Sequence, residues 1–307
     1  MKRLELHISY KCPNSCSFCS EGDQLKKFKG AFVSKESVLN NLKRFARRGF
    51  NHLTLTGGEP TLHPDFFEII RFASLLKYRT YVSSNGGLFS RQSFCSKVIP
   101  YLDEVSFSLH GDNARLHDSL TNNPGSFLKL RKAFANIKKR KGKLFVFVNI
   151  VATLRNLPYL KDTIEFAADS VSAKQVLISA VAPEGAGKDN FLSLAVPLRE
   201  MSKHLSSLVD ASCRKNMQIR FFGIPMCTLG NFCGFSNDAY WSPRTTVELW
   251  RNLGLEFLKV TKSYKPVRNR IKVHKCLRCA LRNICGGVFS EYVERFGAGE
   301  VIPFNHG

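Results

Sequence analysis

The sequence predicts an α/β fold, a partial (β/α)6 TIM barrel followed by a small, loop-rich C-terminal domain. Three observations support this prediction. The 307 residues suffice for one large or two ordinary domains, 44% of them are hydrophobic, and short β-rich runs alternate with helical patterns as far as about residue 215. This composition excludes disordered, collagen-like and coiled-coil proteins. The predicted domains cover residues 1–215 and 216–307.

The first predicted strand lies at the start of the chain, where Leu4, Leu6 and Ile8 alternate with polar residues. Such alternation is typical of a strand and not of a signal peptide. No apolar run reaches the roughly 18 to 20 residues that span a bilayer, so a membrane is not an expected partner. Without an export signal, the 10 cysteines are expected in a reducing, cytoplasmic compartment, where clustered cysteines typically bind metal or do redox chemistry.

Further strands are predicted along the barrel, joined by segments with apolar residues at three- and four-residue spacing. The helix over about 34–48 opens on Ser34, and the helix over about 65–76 follows Pro64. Six strand-helix units are too few for a closed eight-stranded barrel and fit an open one, whose functional residues lie at the C-terminal ends of the strands. The predicted strands cover residues 3–9, 52–56, 79–83, 104–109, 144–151 and 175–180.

The pattern changes after about residue 216, where five of the 10 cysteines lie. We predict a helical fragment around 247–258 in this region, followed by a basic linker. The chain has 46 Lys and Arg against 24 Asp and Glu, a formal charge of +22, which fits a nucleic acid, another acidic partner or simply a basic surface. The basic run 138–143 is more typical of a solvated helix end than of a nucleic-acid contact.

Three cysteines follow the first predicted strand within eight residues, as Cys12, Cys16 and Cys19. Three thiolates leave one position of a tetrahedral site open, which is typical of a catalytic metal centre. In a 4Fe-4S cluster, three cysteine ligands leave one iron free to bind a small molecule. A zinc site completed by a distant residue, or an accidental group of cysteines, is the alternative at this point.

With this CxxxCxxC spacing, the sequence resembles the radical S-adenosylmethionine (radical SAM) enzymes. The resemblance implies that the three cysteines bind a 4Fe-4S cluster, whose free iron chelates the amino and carboxylate groups of SAM. It also implies that one electron, supplied by a reductant such as flavodoxin or ferredoxin, cleaves SAM to a 5'-deoxyadenosyl radical that abstracts a substrate hydrogen. Phe18 matches the aromatic residue that covers the cluster in this family.

The second predicted strand ends in Gly57, Gly58 and Glu59, followed by Pro60. Two glycines let a ligand approach the backbone closely, and the glutamate supplies a negative charge. By itself, this run is equally typical of an ordinary strand-to-helix turn. By resemblance to the GGE motif of the family, the glycine backbone contacts the SAM ammonium group and Glu59 orders it.

Weaker candidates lie at the ends of the later strands. Residues 83–86 match an SxNG pattern and residues 108–111 match an SLHG pattern, and family members use the residues of these patterns on SAM or substrate. For His110, which lies in the second pattern, support of a neighbour through a hydrogen bond is the alternative role. In the family, the apolar backbone after strand six stacks on the adenine of SAM, although an apolar strand end usually belongs to the core. An arginine on a helix can reach the SAM carboxylate, although such a side chain is usually solvated. The candidates are Ser83, Asn85 and Ser108 at strand ends, Val181 and Ala182 after the sixth strand, and Arg131 for the SAM carboxylate.

A second group of cysteines lies near the C-terminus in a CxxC-x5-C run. Four thiolates can hold zinc or a 4Fe-4S cluster. Because the run follows a radical SAM barrel, it resembles the SPASM or twitch extension, which implies one auxiliary 4Fe-4S cluster. Cys95 and Cys213 lie in helical patterns and are expected to be small buried hydrophobic residues. The predicted auxiliary ligands are Cys227, Cys276, Cys279 and Cys285, with Cys233 as an alternative.

Within the SPASM or twitch group, the sequence most resembles the peptide maturases of the His-Xaa-Ser system, through the SLHG run and the residues around 279–289. We therefore predict a radical SAM enzyme of the oxidoreductase or maturase type that modifies a ribosomally made peptide. Since the chain begins on strand one, leader recognition is expected to use the barrel surface or a separate protein. The alternatives are modification of a nucleotide, an RNA or another small metabolite, and a non-catalytic iron-sulfur or nucleic-acid-binding protein.

Overall fold

The computed structural model describes residues 1–140 and 144–304, with nine strands in one sheet and two in a small ribbon. The sheet strands are β1 (Arg3–Ser9), β2 (His52–Gly57), β3 (Arg79–Ser84), β4 (Glu104–Ser108), β5 (Phe145–Ala152), β6 (Gln175–Ala180), β7 (Gln218–Phe222), β8 (Arg244–Asn252) and β9 (Leu255–Ser263). Their spatial order is β7-β6-β5-β4-β3-β2-β1-β8-β9. Every neighbouring pair is parallel except β8 with β9. The ribbon pairs β10 (Arg270–Ile271) with β11 (Val288–Phe289) in antiparallel fashion.

The helices connect the parallel strands, and their apolar faces pack on one side of the sheet. In the second helix, for example, Val38, Leu42 and Phe45 are buried at three- and four-residue spacing. The α-helices of the described residues are α1 (Gly22–Lys27), α2 (Lys35–Ala46), α3 (Phe66–Leu75), α4 (Gln92–Val98), α5 (Ala114–Thr121), α6 (Ser126–Lys138), α7 (Leu160–Val171), α8 (Ala186–Asp189), α9 (Phe191–Leu194), α10 (Leu198–Arg214), α11 (Met226–Leu229) and α12 (Ser290–Phe296).

Alternation along the strands divides the sheet into an apolar outer face and a polar inner face. On β1, Leu4 and Leu6 belong to the hydrophobic core under the helices, whereas Arg3 and Glu5 line a cavity on the other face. Successive strand residues point to opposite faces, so every second residue of each strand faces the inside of the barrel. The inside is therefore a polar space in which a ligand can be held.

The predicted α/β partial barrel is confirmed, and the six predicted strands agree with β1 to β6 within one residue at each end. The sequence reasoning missed β7, β8 and β9. The predicted helical fragment at 247–258 is wrong, because these residues lie in the β8–β9 hairpin. Its turn places both Leu253 (φ 48°) and Gly254 (φ 81°) at positive φ, as two-residue hairpin turns require.

No helix within 1–140 and 144–304 combines the length and the apolar character needed to cross a membrane.

Lys138, at the end of α6, is exposed and donates a hydrogen bond to the carbonyl oxygen of Asp169 (2.7 Å). Residues 141–143 of the basic run lie outside the described residues. The strands β7 to β9 follow residue 215 and join the same sheet, and the domain boundary between 215 and 216 stays a prediction.

The packing of the outer face predicts a strong difference between two leucines. Leu53 on β2 is fully buried, so Leu53→Ala should lower the free energy of unfolding by about 2 to 5 kcal/mol. Leu75 at the end of α3 is 66% exposed, so Leu75→Ala should change it by less than about 0.5 kcal/mol. Urea unfolding followed by circular dichroism measures both. Equal effects of the two substitutions would contradict the burial of β2 under the helices.

Candidate functional site

The three N-terminal cysteines lie in the loop between β1 and α1, at the C-terminal end of β1, which pairs with β2 and β8. Two backbone hydrogen bonds fix this loop to the end of α5, from Ser15 N–H to the Thr121 carbonyl (2.9 Å) and from Ser17 N–H to the Leu120 carbonyl (3.1 Å). A third runs from Ala186 N–H, at the start of α8, to the Cys19 carbonyl (3.0 Å). The loop is thus held by elements distant in sequence, which limits its freedom to move.

The environment of these thiols suits a metal cluster. Burial raises the pKa of Cys12 to about 12 and also raises the pKa of Cys16 and Cys19. Three partly buried, mutually repelling thiolates need a positive charge beside them, and iron supplies it while deprotonating its thiol ligands. Soft thiolate ligands are also those that iron-sulfur clusters take. The donor set therefore fits a 4Fe-4S cluster.

Glu59 is the central buried charge of the site, with only 2% of its surface exposed. Its Oε1 accepts hydrogen bonds from the Thr61 backbone N–H (3.2 Å), the Thr61 hydroxyl (2.6 Å) and the Ser84 hydroxyl (2.8 Å). Its Oε2 accepts one from the Asn85 backbone N–H (2.7 Å). Burial raises the pKa of Glu59, and these four donated bonds oppose that rise because they favour the carboxylate.

The two glycines before Glu59 permit a close approach between the ends of β1 and β2. A Cβ on Gly57, which has a φ of 121°, would lie 2.3 Å from the Ser9 carbonyl oxygen, and one on Gly58 would lie 2.7 Å from the Lys11 carbonyl oxygen. Gly58 N–H donates to the Ser9 carbonyl (2.7 Å). The SAM ammonium group can only donate hydrogen bonds, so its predicted contact with these glycines requires their carbonyl oxygens. This contact stays a prediction. Pro60 is buried beside them and opens a short 3-10 turn.

Asn85 links the glutamate to the cysteine loop. Its backbone N–H donates to Glu59, and its side-chain amide lies 3.9 Å from the Cys12 sulfur. A cavity of about 230 Å³ opens here, lined by Asn85, by Glu59 and by Asn14 of the loop. A ligand in this cavity would contact the buried carboxylate and the edge of the cysteine loop together. The sequence-predicted Glu59 and Asn85 are therefore neighbours of the cysteines in space.

Phe18 packs on His110, with ring centroids 4.5 Å apart in an edge-to-face arrangement. The ring Nδ1 of His110 accepts a hydrogen bond from the Val151 backbone N–H (3.3 Å). The backbone N–H of His110 donates to the ring Nδ1 of His117 (3.1 Å). Burial lowers the pKa of His110 well below its usual value and that of His117 to about 4, so both rings are neutral at pH 7. The imidazole of His110 thus supports Phe18 through packing.

The remaining predicted residues fall into three groups. Ser83 and Ser108 are partly buried at the ends of β3 and β4, at positions in register with the inner face. Val181 and Ala182 follow β6, and Val181 packs in the same apolar cluster as Phe18. Arg131 is exposed on α6 and does not line the cavity beside Glu59, whereas Lys129 of the same helix does. The roles of these residues toward SAM stay predictions.

Four C-terminal cysteines line one small cavity, one from the segment between β7 and β8 and three from the chain after β9. Cys227 comes from α11, and burial together with the nearby Cys285 thiolate raises its pKa. Cys233 is outside this lining and packs against the main hydrophobic core. The structure thus groups the predicted set with Cys227 rather than Cys233. The lining cysteines are Cys227, Cys276, Cys279 and Cys285.

A buried ion pair that the sequence analysis missed holds the last of these cysteines. Asp238 and Arg270 face each other through two bonds, of 2.8 and 2.9 Å, and each side chain is 1% exposed. Asp238 also accepts from the Gly286 N–H (2.9 Å), and Arg270 Nε donates to the Gly287 carbonyl (3.2 Å). The pair therefore fixes the backbone directly after Cys285. Its partners lie 32 residues apart, so no local pattern indicates it.

The last two cysteines differ from each other. Cys95 is fully buried in α4 and its thiol donates to the Phe89 carbonyl oxygen (3.0 Å), as expected of a small core residue. Cys213 is exposed on α10, so the prediction that it is buried is wrong. On this helix the buried face passes through Val209 and Ser212, and Cys213 lies one residue beyond it. A helix face shifts by 100° with each residue, so a one-residue error exchanges core for solvent.

No three Cys, His, Asp or Glu side chains in residues 1–140 and 144–304 are arranged to hold a single metal ion. A 4Fe-4S cluster is larger than one ion, and each of its cysteines ligates a different iron. Its ligands therefore surround a volume instead of converging on one point. The four C-terminal cysteines, which line one small cavity, are arranged in this way.

Comparison with known proteins identifies relatives of this chain. Residues 6–167, just over half of the chain, match the family model of the radical SAM superfamily. A PqqA peptide cyclase of Rhodopseudomonas palustris is 30% identical over 162 residues, which are 53% of this chain and 42% of the relative. An AdoMet-dependent heme synthase of Oleidesulfovibrio alaskensis is 28% identical over 155 residues, 50% and 39% of the two chains. The match thus spans about two fifths of each of these relatives.

A longer match covers more of both chains. A probable GTP 3',8-cyclase of Saccharolobus islandicus is 25% identical over 225 residues, 72% of this chain and 69% of the relative. Among solved structures, Streptococcus suis SuiB bound to S-adenosylmethionine has a TM-score of 0.63 at 16% identity, over 99% of this chain and 76% of SuiB. The enzyme anSMEcpe with bound AdoMet and Kp18Cys peptide has a TM-score of 0.56 at 20% identity, over 71% and 63%. These structures share the fold.

Two separate cysteine groups predict about eight irons per chain after anaerobic reconstitution, four in each cluster. Substitution of Cys12, Cys16 and Cys19 by Ala should remove about half of the iron, and substitution of Cys276, Cys279 and Cys285 should remove the other half. Iron and acid-labile sulfide analysis measures this loss, and Cys213→Ala is the control because that thiol is exposed on α10 and belongs to neither group. Full iron content in either triple variant, or zinc in the second site, would contradict the assignment.

Proposed function

The chain belongs to the radical SAM superfamily, and from this premise we propose that it reductively cleaves SAM and uses the resulting radical to modify a peptide. One observation carries the proposal. Pro13 and Asn14 of the CxxxCxxC loop and Glu59 of the GGE motif line one cavity although they are distant in sequence. Asn85 lines it too, bonds to Glu59 and holds its amide 3.9 Å from the Cys12 sulfur. The whole match with the family model precedes residue 168, so it includes both motifs.

In this proposal, Cys12, Cys16 and Cys19 hold the 4Fe-4S cluster. The bound cluster supplies the single electron that cleaves SAM to methionine and the 5'-deoxyadenosyl radical, and leaves one iron for SAM. Asn85 holds its amide toward the Cys12 sulfur. Hydrogen bonds to cluster sulfurs and ligands raise the reduction potential, so Asn85 is placed to favour the reduced cluster.

Glu59 has the role of a fixed counter-charge for the SAM ammonium group. Its carboxylate is held by four donors and cannot turn away from the cavity without losing them. The orientation is set before SAM binds, so little conformational entropy is lost on binding. The charge is buried, and a contact with an ammonium group there is stronger than on the surface.

A peptide substrate is supported by two relatives and by the charge of the chain. The PqqA peptide cyclase acts on a peptide by its name, and SuiB has been crystallised with its precursor peptide SuiA. The formal charge of +22 would attract an acidic leader segment over a distance of about one Debye length. We propose that the leader uses the barrel surface or a separate recognition protein, and that flavodoxin or ferredoxin is the reductant.

We propose that the C-terminal cysteines hold one auxiliary cluster of the SPASM or twitch type. Cys227, Cys276, Cys279 and Cys285 supply four thiolates, which close the coordination of a 4Fe-4S cluster. A closed site binds no substrate through iron, so it serves electron transfer or structure. The Asp238–Arg270 pair supports this role by fixing the chain after Cys285.

The GTP cyclase relative favours a second candidate substrate, because its match covers a larger share of both chains. Anaerobic turnover with SAM and dithionite separates the two candidates. Short peptides encoded near the gene and GTP are supplied in parallel, and products are identified by mass spectrometry. A mass change in a peptide supports the proposal. A change in GTP alone would replace the peptide by a nucleotide, and absence of 5'-deoxyadenosine would reject radical SAM activity.

Glu59→Gln should weaken SAM binding by about tenfold or more, equal to about 1.4 kcal/mol, because the substitution removes the charge and keeps the shape. Calorimetry under anaerobic conditions measures the affinity. Glu36→Gln is the matched control, since Glu36 is exposed on α2. Unchanged SAM affinity in Glu59→Gln, with the cluster intact by absorbance, would exclude the proposed role.

Substitution of Cys276, Cys279 and Cys285 by Ala should abolish substrate modification while some uncoupled SAM cleavage continues. The reason is that these cysteines lie after the barrel and do not replace the ligands of the first cluster. Loss of a cluster can also unfold a loop-rich region, so circular dichroism and a melting curve accompany the assay. Full product formation by a folded triple variant would leave the second cluster a purely structural role.

A further inference from the structure

A second, larger cavity lies inside the barrel at the opposite end from the cysteines. Its volume is about 340 Å³, which is within the range of small-ligand sites. It is lined by the first residues of several strands, among them Arg3 of β1, His52 of β2 and Arg244 of β8. Arg3 begins β1, and the cysteine loop follows the last residue of that strand. The seven residues of β1 therefore separate this cavity from the cysteine loop. At about 3.3 Å per residue, this distance is about 20 Å.

Four buried nitrogen atoms of the lining have no hydrogen-bond partner among the described residues. They are Nε of Arg3, Nε of Arg244, Nε1 of Trp241 and Nδ1 of His52. His52 is only 2% exposed. Two arginine Nε atoms and one indole nitrogen always carry a hydrogen at neutral pH, so at least three of the four are donors. A buried donor without an acceptor costs about 1 to 3 kcal/mol, and several in one cavity indicate a missing acceptor.

The strand register places two arginines beside each other. Arg3 is the Cα partner of Arg244 on one side and of His52 on the other. Like charges on directly neighbouring strand positions repel each other, and burial together with the Arg244 charge lowers the pKa of Arg3. A bound anion would remove this repulsion.

Two carboxylates, Glu5 and Glu104, also line this cavity, and they leave two of its guanidinium groups without an ion-pair partner. Glu5 pairs with Arg244 (3.3 Å), and Glu104 pairs with Arg79, which lies outside the lining. Within residues 1–140 and 144–304, Arg3 and Arg220 form no ion pair. Arg220 instead stacks on the ring of Tyr240, with its guanidinium carbon 3.7 Å from the ring centre. Its Nη1 donates a long hydrogen bond to the Gly234 carbonyl (3.5 Å), and stacking leaves the other donors at the edge of the guanidinium available.

We propose that this cavity is a binding site for an oxyanion, the carboxylate or phosphate group of a ligand that enters at the N-terminal end of the barrel. Arg3 and Arg220 supply the unpaired charge. The Trp241 indole and the Arg244 Nε supply neutral and charged donors in fixed positions. Guanidinium groups bind carboxylate and phosphate in the same fork geometry, so the two anions share one recognition chemistry. The site stands apart from the SAM cavity and does not depend on radical chemistry.

The test measures binding of two simple probes, inorganic phosphate and glutarate, to the anaerobically reconstituted full-length protein without SAM. Isothermal titration calorimetry at low ionic strength should give one equivalent of at least one probe, and binding should weaken as sodium chloride is added. Binding of phosphate alone identifies a phosphate-bearing ligand, and binding of glutarate alone identifies a carboxylate-bearing one. Failure of both probes to bind would overturn the proposal.

Variants locate the bound anion. The double variant Arg3→Gln/Arg220→Gln should weaken binding by at least about tenfold, because two charge-assisted contacts are lost. Trp241→Phe removes only the indole donor and should weaken it several-fold. Arg71→Gln, on the exposed face of α3, is the control and should bind as the wild type does.

Folding and cluster content are followed in the same samples. Circular dichroism and iron analysis should be unchanged in Trp241→Phe, which preserves the aromatic packing against Phe222. If the double variant is unfolded, Trp241→Phe and Arg220→Gln alone decide the outcome. Wild-type affinity in both of these folded variants would place the anion elsewhere and reject the cavity as its site. Since no SAM is present, loss of SAM cleavage in any variant does not affect the result.

Discussion

The buried carboxylate of Glu59 is the interaction on which the arrangement of the site depends. It accepts bonds from the turn after β2 and from the end of β3, and Asn85 extends this contact to Cys12 after β1. Three neighbouring strand ends are therefore joined through one side chain. A buried charge without these donors would destabilise the fold, so the same bonds satisfy Glu59 and position the cysteine loop.

Alternation along parallel strands explains why so much of this fold could be predicted from the sequence. Apolar residues such as Leu53 and Leu55 must face the helices, which leaves Thr54 and Thr56 on the inner face. The strands and the cysteine loop follow from local patterns of this kind, and the six predicted strands have nearly correct ends. Local patterns also place GGE at a strand end, and the parallel sheet then brings it beside the cysteines.

The features that could not be predicted depend on contacts between distant residues. Ser84 and not Ser83 bonds to Glu59, and the choice depends on which face of β3 the serine occupies. The β8–β9 hairpin has apolar residues at spacings that also fit a helix, and its pairing with β1 over more than 200 residues is invisible in a local window. Asp238 and Arg270 resemble any exposed charged pair until both are seen buried behind Cys285.

The cavity at the N-terminal end and the cavity beside Glu59 are far enough apart for each to bind its own ligand. Arg3, Arg220 and Arg244 line the first cavity together with Glu5 and Glu104, whereas Glu59 lines the second together with Arg91 and Lys129. Two unit charges about 20 Å apart interact by only about 0.8 kcal/mol at an effective dielectric constant of 20, before screening by salt. An anion held by Arg3 therefore hardly disturbs the charge balance around Glu59 and the cluster. Repulsion between Arg3 and Arg244, by contrast, is local. Glu5 and Glu104 offset part of it, and an anion bound at that end would reduce it further.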